Sequence, residues 1–175
     1  MKHLLTIYPQ DIGAASDPNA IFKERRAARA VMVTKKGGIY LVYMKTRGYY
    51  KLPGGGIEEG EDTETALHRE LLEECGTDGV IIGEVGSVEE FREDYGLHQL
   101  SYCYLVQQNG SHMLPEYTEK ERREQAELHI AASIDDAIML VKANTPIDDE
   151  CRFMQQRDSV LLKEAHRLLS IRFKK

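Results

Sequence analysis

The sequence has no apolar stretch longer than a few residues, far short of the ~20 needed to cross a bilayer. Nor does its N-terminus carry the apolar core of a signal peptide. Both absences argue against contact with a membrane and lead to the expectation of a cytoplasmic protein. Cysteine is scarce: Cys75, Cys103 and Cys151 are odd in number and widely spaced, with no C-x-x-C pair. A thiolate zinc site, a redox pair and a disulfide framework are therefore not expected, and buried or free thiols are. Positive charge is also short, with 23 Lys and Arg against 29 Asp and Glu and a formal net charge of −6. Such a surface repels polyphosphates on average, so binding to nucleic acid irrespective of sequence would need a strong local basic patch. Lys23, Arg25, Arg26 and Arg29, and again Lys120, Arg122 and Arg123, form basic clusters, but such runs are usually solvated faces. Internal repeats and low-complexity segments are missing as well.

What remains is an ordinary globular composition, 42% apolar and 30% charged over 175 residues. That length suits one domain, residues 1–175, with a single buried core. Residues 1–26 have weak periodicity, punctuated by Pro9, Gly13 and Pro18, and are expected to form a short irregular lead-in. Two β-rich runs, 28–33 and 39–44, flank Lys35-Lys36-Gly37-Gly38 and predict a hairpin. Further strands are expected at 80–85, 100–106 and 128–132, and helices at 134–141 and about 148–172. The last helix is amphipathic and would either cover the core or form a dimer seam, so the chain is expected to be a monomer or a homodimer. Strands on both sides of a central helix, with more helices at the end, predict an α/β or α+β fold: a mixed β-sheet between helical layers.

Lys51-Leu52-Pro53-Gly54-Gly55-Gly56 cannot lie inside a regular element, because Pro53 lacks a donor and three glycines are costly to order. A helix capped by Asp62 or Thr63 then runs to about Cys75, with Gly76 supplying the left-handed residue past its end. On that helix Glu70, Glu73 and Glu74 share a sector of roughly 100°. Left alone, three carboxylates on one face near a helix C-terminus repel one another and oppose the dipole. A hard divalent cation removes that cost, and Mg²⁺ commonly bridges one or two carboxylates to substrate phosphates. A glycine loop beside such a face lets the backbone approach a pyrophosphate closely.

The run from Gly55 to Thr77 resembles the signature of the Nudix hydrolases, G-x(5)-E-x(7)-R-E-U-x-E-E-x-G-U with U apolar. Gly55, Glu61, Arg69, Glu70, Leu71, Glu73, Glu74 and Gly76 fit it at the right spacing, and Thr77 departs from the final apolar place. The resemblance implies a Nudix-like α/β/α sandwich and a Mg²⁺-dependent pyrophosphohydrolase in which Mn²⁺ can substitute. Its substrate would be a small nucleoside-diphosphate derivative: a nucleoside triphosphate, an ADP-sugar or a dinucleoside polyphosphate. By the same resemblance Glu70, Glu73 and Glu74, with the Gly54 carbonyl, hold the metal, while Arg69 and Glu61 orient the carboxylates and Gly55 and Gly76 shape the backbone. The proton acceptor is Glu70 in some members and a later loop acid in others, for which Glu124, in the loop 116–127, is the candidate here. Arg47, Lys51 and Lys45 flank the glycine loop and could reach phosphates; Tyr49, Tyr50, Phe91 and Tyr95 could stack on a base, although packing is the commoner role of such aromatics. In some subgroups a residue beyond the motif sorts substrates, proline in ADP-ribose hydrolases and tyrosine in dinucleoside-polyphosphate hydrolases, and Tyr95 falls near that place. The sequence does not name the substrate. The alternative is a nucleotide-sensing module that keeps the fold and turns over weakly.

Overall fold

The computed structural model describes residues 1–17 and 19–172. Pro18, expected as a break in the lead-in, lies outside them. Seven strands form one mixed sheet: β1 (His3–Ile7), β2 (Lys23–Val33), β3 (Ile39–Met44), β4 (Tyr49–Lys51), β5 (Gly79–Arg92), β6 (Leu97–Gln108) and β7 (Ala126–Ala131). Four α-helices accompany them: α1 (Thr63–Cys75), α2 (Glu119–Arg123), α3 (Ile134–Lys142) and α4 (Asp149–Arg172). The sheet order is β1-β5-β6-β2-β3-β4, with β7 also paired to β3; β1 with β5 and β2 with β6 are parallel, and the remaining pairs are antiparallel.

The period of two along β2 explains the layering. Ala28, Ala30 and Met32 face α1 and pack with its Leu67 and Leu71, whereas Val31 and Val33 face the opposite layer, where α3 and α4 supply Val141, Leu161 and Leu162. This is the α/β/α sandwich expected from the sequence. Helix α4 covers the core with Phe153, Leu161, Leu162, Ala165 and Leu169, which answers one of the two uses its periodicity left open. All three cysteines are free and buried. Among the described residues no helix is long and apolar enough to cross a membrane.

Several expectations need correction. The lead-in contains β1, which pairs along β5 from Ser87 to Glu90, and its last residues open β2 at Lys23. Residues 28–33 and 39–44 are strands joined by a tight turn in which Thr34 Oγ1 accepts from the Gly38 N–H at 2.9 Å. They form no extended hairpin, since β2 and β3 pair only at Val33 and Ile39 before β2 turns to β6 along its whole length. Strand β5 runs on to Arg92 through two register shifts, and β4 and α2 are additional elements. Short edge strands and single-turn helices carry too few residues for periodicity to register.

Candidate active site

Helix α1 starts where Asp62 accepts from the Thr65 N–H at 2.7 Å and ends at Gly76, whose φ of 62° is left-handed. Ahead of it the glycine loop is bonded to β2. The Ala30 N–H donates to the Pro53 carbonyl and the Ala28 N–H to the Gly55 carbonyl, both at 3.0 Å. The intervening Gly54 has φ 126°, and a Cβ there would overlap the Ala28 carbonyl oxygen. Only glycine fits. Its peptide is thereby turned so that the Gly54 N–H donates to Glu74 Oε2 at 2.6 Å. The Gly54 carbonyl takes no hydrogen bond among the described residues. A Cβ at Gly55 would meet the Glu70 carboxylate, so bare backbone there gives Glu70 its place.

Glu74 is 1% exposed, and its other oxygen accepts from Lys51 Nζ at 2.6 Å. Burial raises its pKa, Lys51 offsets part of that, and the adjacent Glu121 carboxyl raises it again, to about 8. Burial works against Glu121 too, but its bond to Glu74 and the charge of Lys51 hold it down at about 2. The two carboxyls thus share one proton across the neutral range. Burial disfavours the Lys51 ammonium, yet Glu74 and Glu121, the latter at 3.4 Å, outweigh it and raise its pKa.

Arg69 gathers the other acids. It donates from Nε and Nη2 to the two oxygens of Glu61 at 2.9 and 3.0 Å, from Nη1 to Glu70 at 2.8 Å and Glu73 at 3.4 Å, and from Nη2 to the Gly56 carbonyl at 2.9 Å. Glu61 is pulled down to about 2 by Arg69 and by the Glu58 N–H. Burial and the charge of Glu70 raise the Glu73 pKa against the pull of Arg69.

A cavity of about 230 Å³ opens beside this helix, with Gly54, Gly55, Glu70, Glu74 and Lys51 in its wall. Glu73, Arg69 and the far side of Glu70 border a shallower hollow next to it. Glu124 also lines the cavity, with Arg47 Nη1 at 3.6 Å. Not every candidate arrives there. Arg47 is spent on Glu150 at 2.8 Å and on Asp148, and it lies behind the cavity wall. Tyr50 packs against Tyr43 and His129 at the sheet edge, and Tyr95 is 51% exposed on the other side of Arg92. Phe91 is stacked between Tyr8 and His98, whereas Tyr49, buried against Met154, does line the cavity. Lys45 pairs with Glu127 in solvent.

Sequence reasoning missed Glu121 and the arginines of the inner wall. Glu121 was legible in principle, because Thr118-Glu119-Lys120-Glu121 is a T-x-x-E capping box, and Thr118 and Glu121 do bond reciprocally. Arg25 and Arg29 stood in a cluster read as a solvated face, whereas Arg29 is 5% exposed. Arg157 of α4 had no local signal.

A divalent cation can be tested against this donor set. Among the described residues no three Asp, Glu, His or Cys side chains already converge as a cage, because Lys51 and Arg69 now bridge the glutamates. The donors are nevertheless all oxygens, one carbonyl among them is unbonded, and Glu74 and Glu121 hold a proton where a cation would serve better. That set suits a hard ion.

A mixed sheet between two helical layers, with a glycine loop strung along one strand and facing an acidic helix, defines the class of α/β sandwich proteins to which this chain belongs. The chain belongs to the Nudix family: the NUDIX domain model matches residues 23–151. Curated relatives include an RNA pyrophosphohydrolase of Wolbachia pipientis, 43% identical over 58 residues, 32% of this chain and 36% of that protein. Another, from a Sulfurovum species, is 56% identical over 39 residues, 22% of this chain and 25% of that protein. These matches span well under half of the relatives' length. Among solved structures, the E. coli ORF135 protein aligns with a TM-score of 0.60 at 22% identity, covering 86% of this chain and 94% of its own. A MutT NUDIX hydrolase of Burkholderia pseudomallei aligns at 0.54 and 24% identity, covering 77% and 98%. At such identities these likenesses establish the fold.

Proposed function

We propose that this chain is a divalent-metal-dependent pyrophosphohydrolase that cuts a P–O–P bond in a nucleoside diphosphate linked to another moiety. The observation that carries this is Glu74, buried and pinned to the Gly54 N–H at 2.6 Å, with Glu70 and Glu73 on the same helix face beside an open cavity. Bound Mg²⁺ or Mn²⁺ would neutralise charge on phosphate oxygens and make a bound water more acidic. Glu70, Glu73, Glu74 and the Gly54 carbonyl would hold it, with Glu121 as a further oxygen donor. Arg69 and Glu61 orient Glu70 and Glu73. Glu70, which lies against Gly55 and borders both hollows, accepts the proton of the attacking water. The water oxygen bonds to phosphorus, the bridging P–O bond breaks, and the leaving phosphate carries the electron pair away. Glu124 is the weaker candidate for that proton, since it faces Arg47.

The test is a metal-dependent release assay over nucleoside triphosphates, ADP-sugars, dinucleoside polyphosphates and a 5′-triphosphorylated RNA oligonucleotide. The RNA arm is included because the matched relatives are named RNA pyrophosphohydrolases. Metal-dependent turnover of a small nucleotide supports the proposal, and turnover of RNA ends alone moves the substrate to RNA. Saturable nucleotide binding without turnover on any arm supports the sensing module instead.

Metal affinity should depend on pH through the shared proton. Glu74 lies near 8 in the fold against 4.5 as a free side chain, so it keeps a proton that the unfolded chain has lost. In the metal-free chain its contribution to stability is full at low pH and fades as pH rises through 8. A cation must displace that proton, so apparent Mn²⁺ affinity rises up to about tenfold per pH unit from 6 to 8. Calorimetric titration at three pH values checks this. An affinity flat across that range would show that the cation displaces no proton from the Glu74–Glu121 pair.

A further inference from the structure

The acidic wall of the cavity faces a basic one that the hydrolysis does not use. On β2 the two-residue period puts Arg25 and Arg29 on the same side as Val31 and Val33, the side covered by α4. From α4 comes Arg157, with 0% exposure, and all three arginines line the cavity. Their bonding is incomplete. Arg29 makes no side-chain hydrogen bond or ion pair among the described residues, and its Nε is buried without a partner. Arg157 donates from Nε to Asp158 at 2.7 Å, but Nη1 and Nη2 lack hydrogen-bond partners, with Glu90 no nearer than 3.5 Å to Nη1. Among the described residues Arg25, at the mouth, donates only to Gln99, at 2.6 Å.

Ion pairing does not supply the missing bonds at Arg29 either. Arg92 and Arg157 pair with Glu90, Asp158 and, at 3.9 Å, Glu150, whereas Arg29 pairs with none of them among the described residues. Glu70 and Glu74 across the cavity are already engaged by Arg69, Lys51 and the Gly54 N–H. Unbonded buried N–H groups and an unpaired buried charge are both costly in a folded chain. A phosphate group repairs both, because its oxygens accept paired N–H bonds from guanidinium forks.

We infer that Arg29 and Arg157 on the inner wall of the cavity, with Arg25 at its mouth, form a phosphate subsite. The inference rests on the hydrolase reading and narrows it to substrates that carry a phosphate group beyond the bond being cut. Volume agrees: about 230 Å³, edged by three apolar side chains, Met44, Tyr49 and Met154, is small for a nucleobase with its ribose and ample for a phosphate. Arg25 and Arg29 lie within the family match and Arg157 past residue 151, where it ends, so the C-terminal helix completes the subsite.

The decisive measurement is orthophosphate binding to the full chain in EDTA, by thermal shift and calorimetry, with KCl at matched ionic strength as control. The wild type should show a saturable rise in Tm beyond that of KCl. In Arg29→Met and Arg157→Met the Kd should weaken at least tenfold. Arg29 has no ion-pair partner to strand, so Arg29→Met should fold with an equal or higher Tm, and it decides the matter alone if Arg157→Met does not fold. No saturable effect in the wild type, or an unchanged Kd in Arg29→Met, overturns the subsite. Orthophosphate inhibition that competes with substrate assigns the site to the substrate's own phosphate, and non-competitive inhibition assigns it to free phosphate; both require the subsite. Because binding is read without metal or turnover, an inactive protein that binds phosphate fails the hydrolase reading only.

Discussion

Glu74→Gln should fold as the wild type does and lose about 10²- to 10³-fold in kcat with its best substrate, the scale on which removing a pre-positioned charge from a phosphoryl clamp is felt. Folding survives because the Gln carbonyl can still accept from the Gly54 N–H, while its amide, in place of the oxygen that met Lys51 Nζ, can donate to Glu121 where the shared proton now sits. The variant is therefore a fixed copy of the protonated state, and its Tm should stay within about 3 °C of the wild type. What disappears is the anion. Without it Lys51 keeps only Glu121, at 3.4 Å, and a cation loses its deepest carboxylate. Glu70→Gln removes a ligand as well as the proton acceptor, so it should lower kcat as steeply and weaken Mn²⁺ binding too, and Glu124→Gln should lower kcat far less with Mn²⁺ affinity unchanged. Steady-state kinetics with a Mn²⁺ titration on each variant separates these roles. Near-wild-type kcat in Glu74→Gln would sink the assignment of α1 as the metal-holding helix.

How much of this was readable beforehand depended on how local each interaction is. The α1 cluster was legible because Arg69, Glu70, Glu73 and Glu74 lie within two turns of one helix, whose geometry fixes their common side, and Glu61 stands just ahead of its cap within reach of Arg69. Gly54 and Gly55 were legible as special backbone for the same reason. Arg29 was not. Its cluster looked like a charged run, and only the pairing of β2 between β6 and the glycine loop shows that it points inward. Arg47 and Tyr50 erred in the opposite direction: both neighbour the loop in sequence, but β4 turns Tyr50 to the sheet edge and delivers Arg47 to the acids at the start of α4. Strand direction decides such cases, and a sequence window does not contain the partner strand. The lead-in strand β1 was hidden likewise, since its partner β5 lies some eighty residues away.

Distance along the chain also conceals what holds the glycine loop in place, and here the second large effect is expected. Asp158 of α4 is wholly buried; one oxygen accepts from Arg157 Nε at 2.7 Å and the other from the Leu52 N–H at 3.0 Å. Leu52 opens the turn into Pro53 and Gly54, so one carboxylate ties the C-terminal helix to the backbone that positions Glu74. Asp158→Ala strands the Leu52 N–H and leaves the Arg157 guanidinium with Glu90 alone, at 3.5 Å. Breaking a buried ion pair by deleting one partner costs about 3–5 kcal/mol, which in a chain of this size lowers Tm by roughly 6–20 °C. Asp158→Asn keeps an acceptor for Leu52 but loses the charge facing Arg157, and should fall between. Calorimetry on the two variants gives the Tm values, and a drop below about 2 °C in Asp158→Ala would show that the contact is incidental. If the tie matters as argued, kcat should fall in Asp158→Ala even well below its Tm, because a loop released from α4 no longer holds the Gly54 N–H against Glu74. A helix beyond the family match would then be working as a strut for the family's own motif.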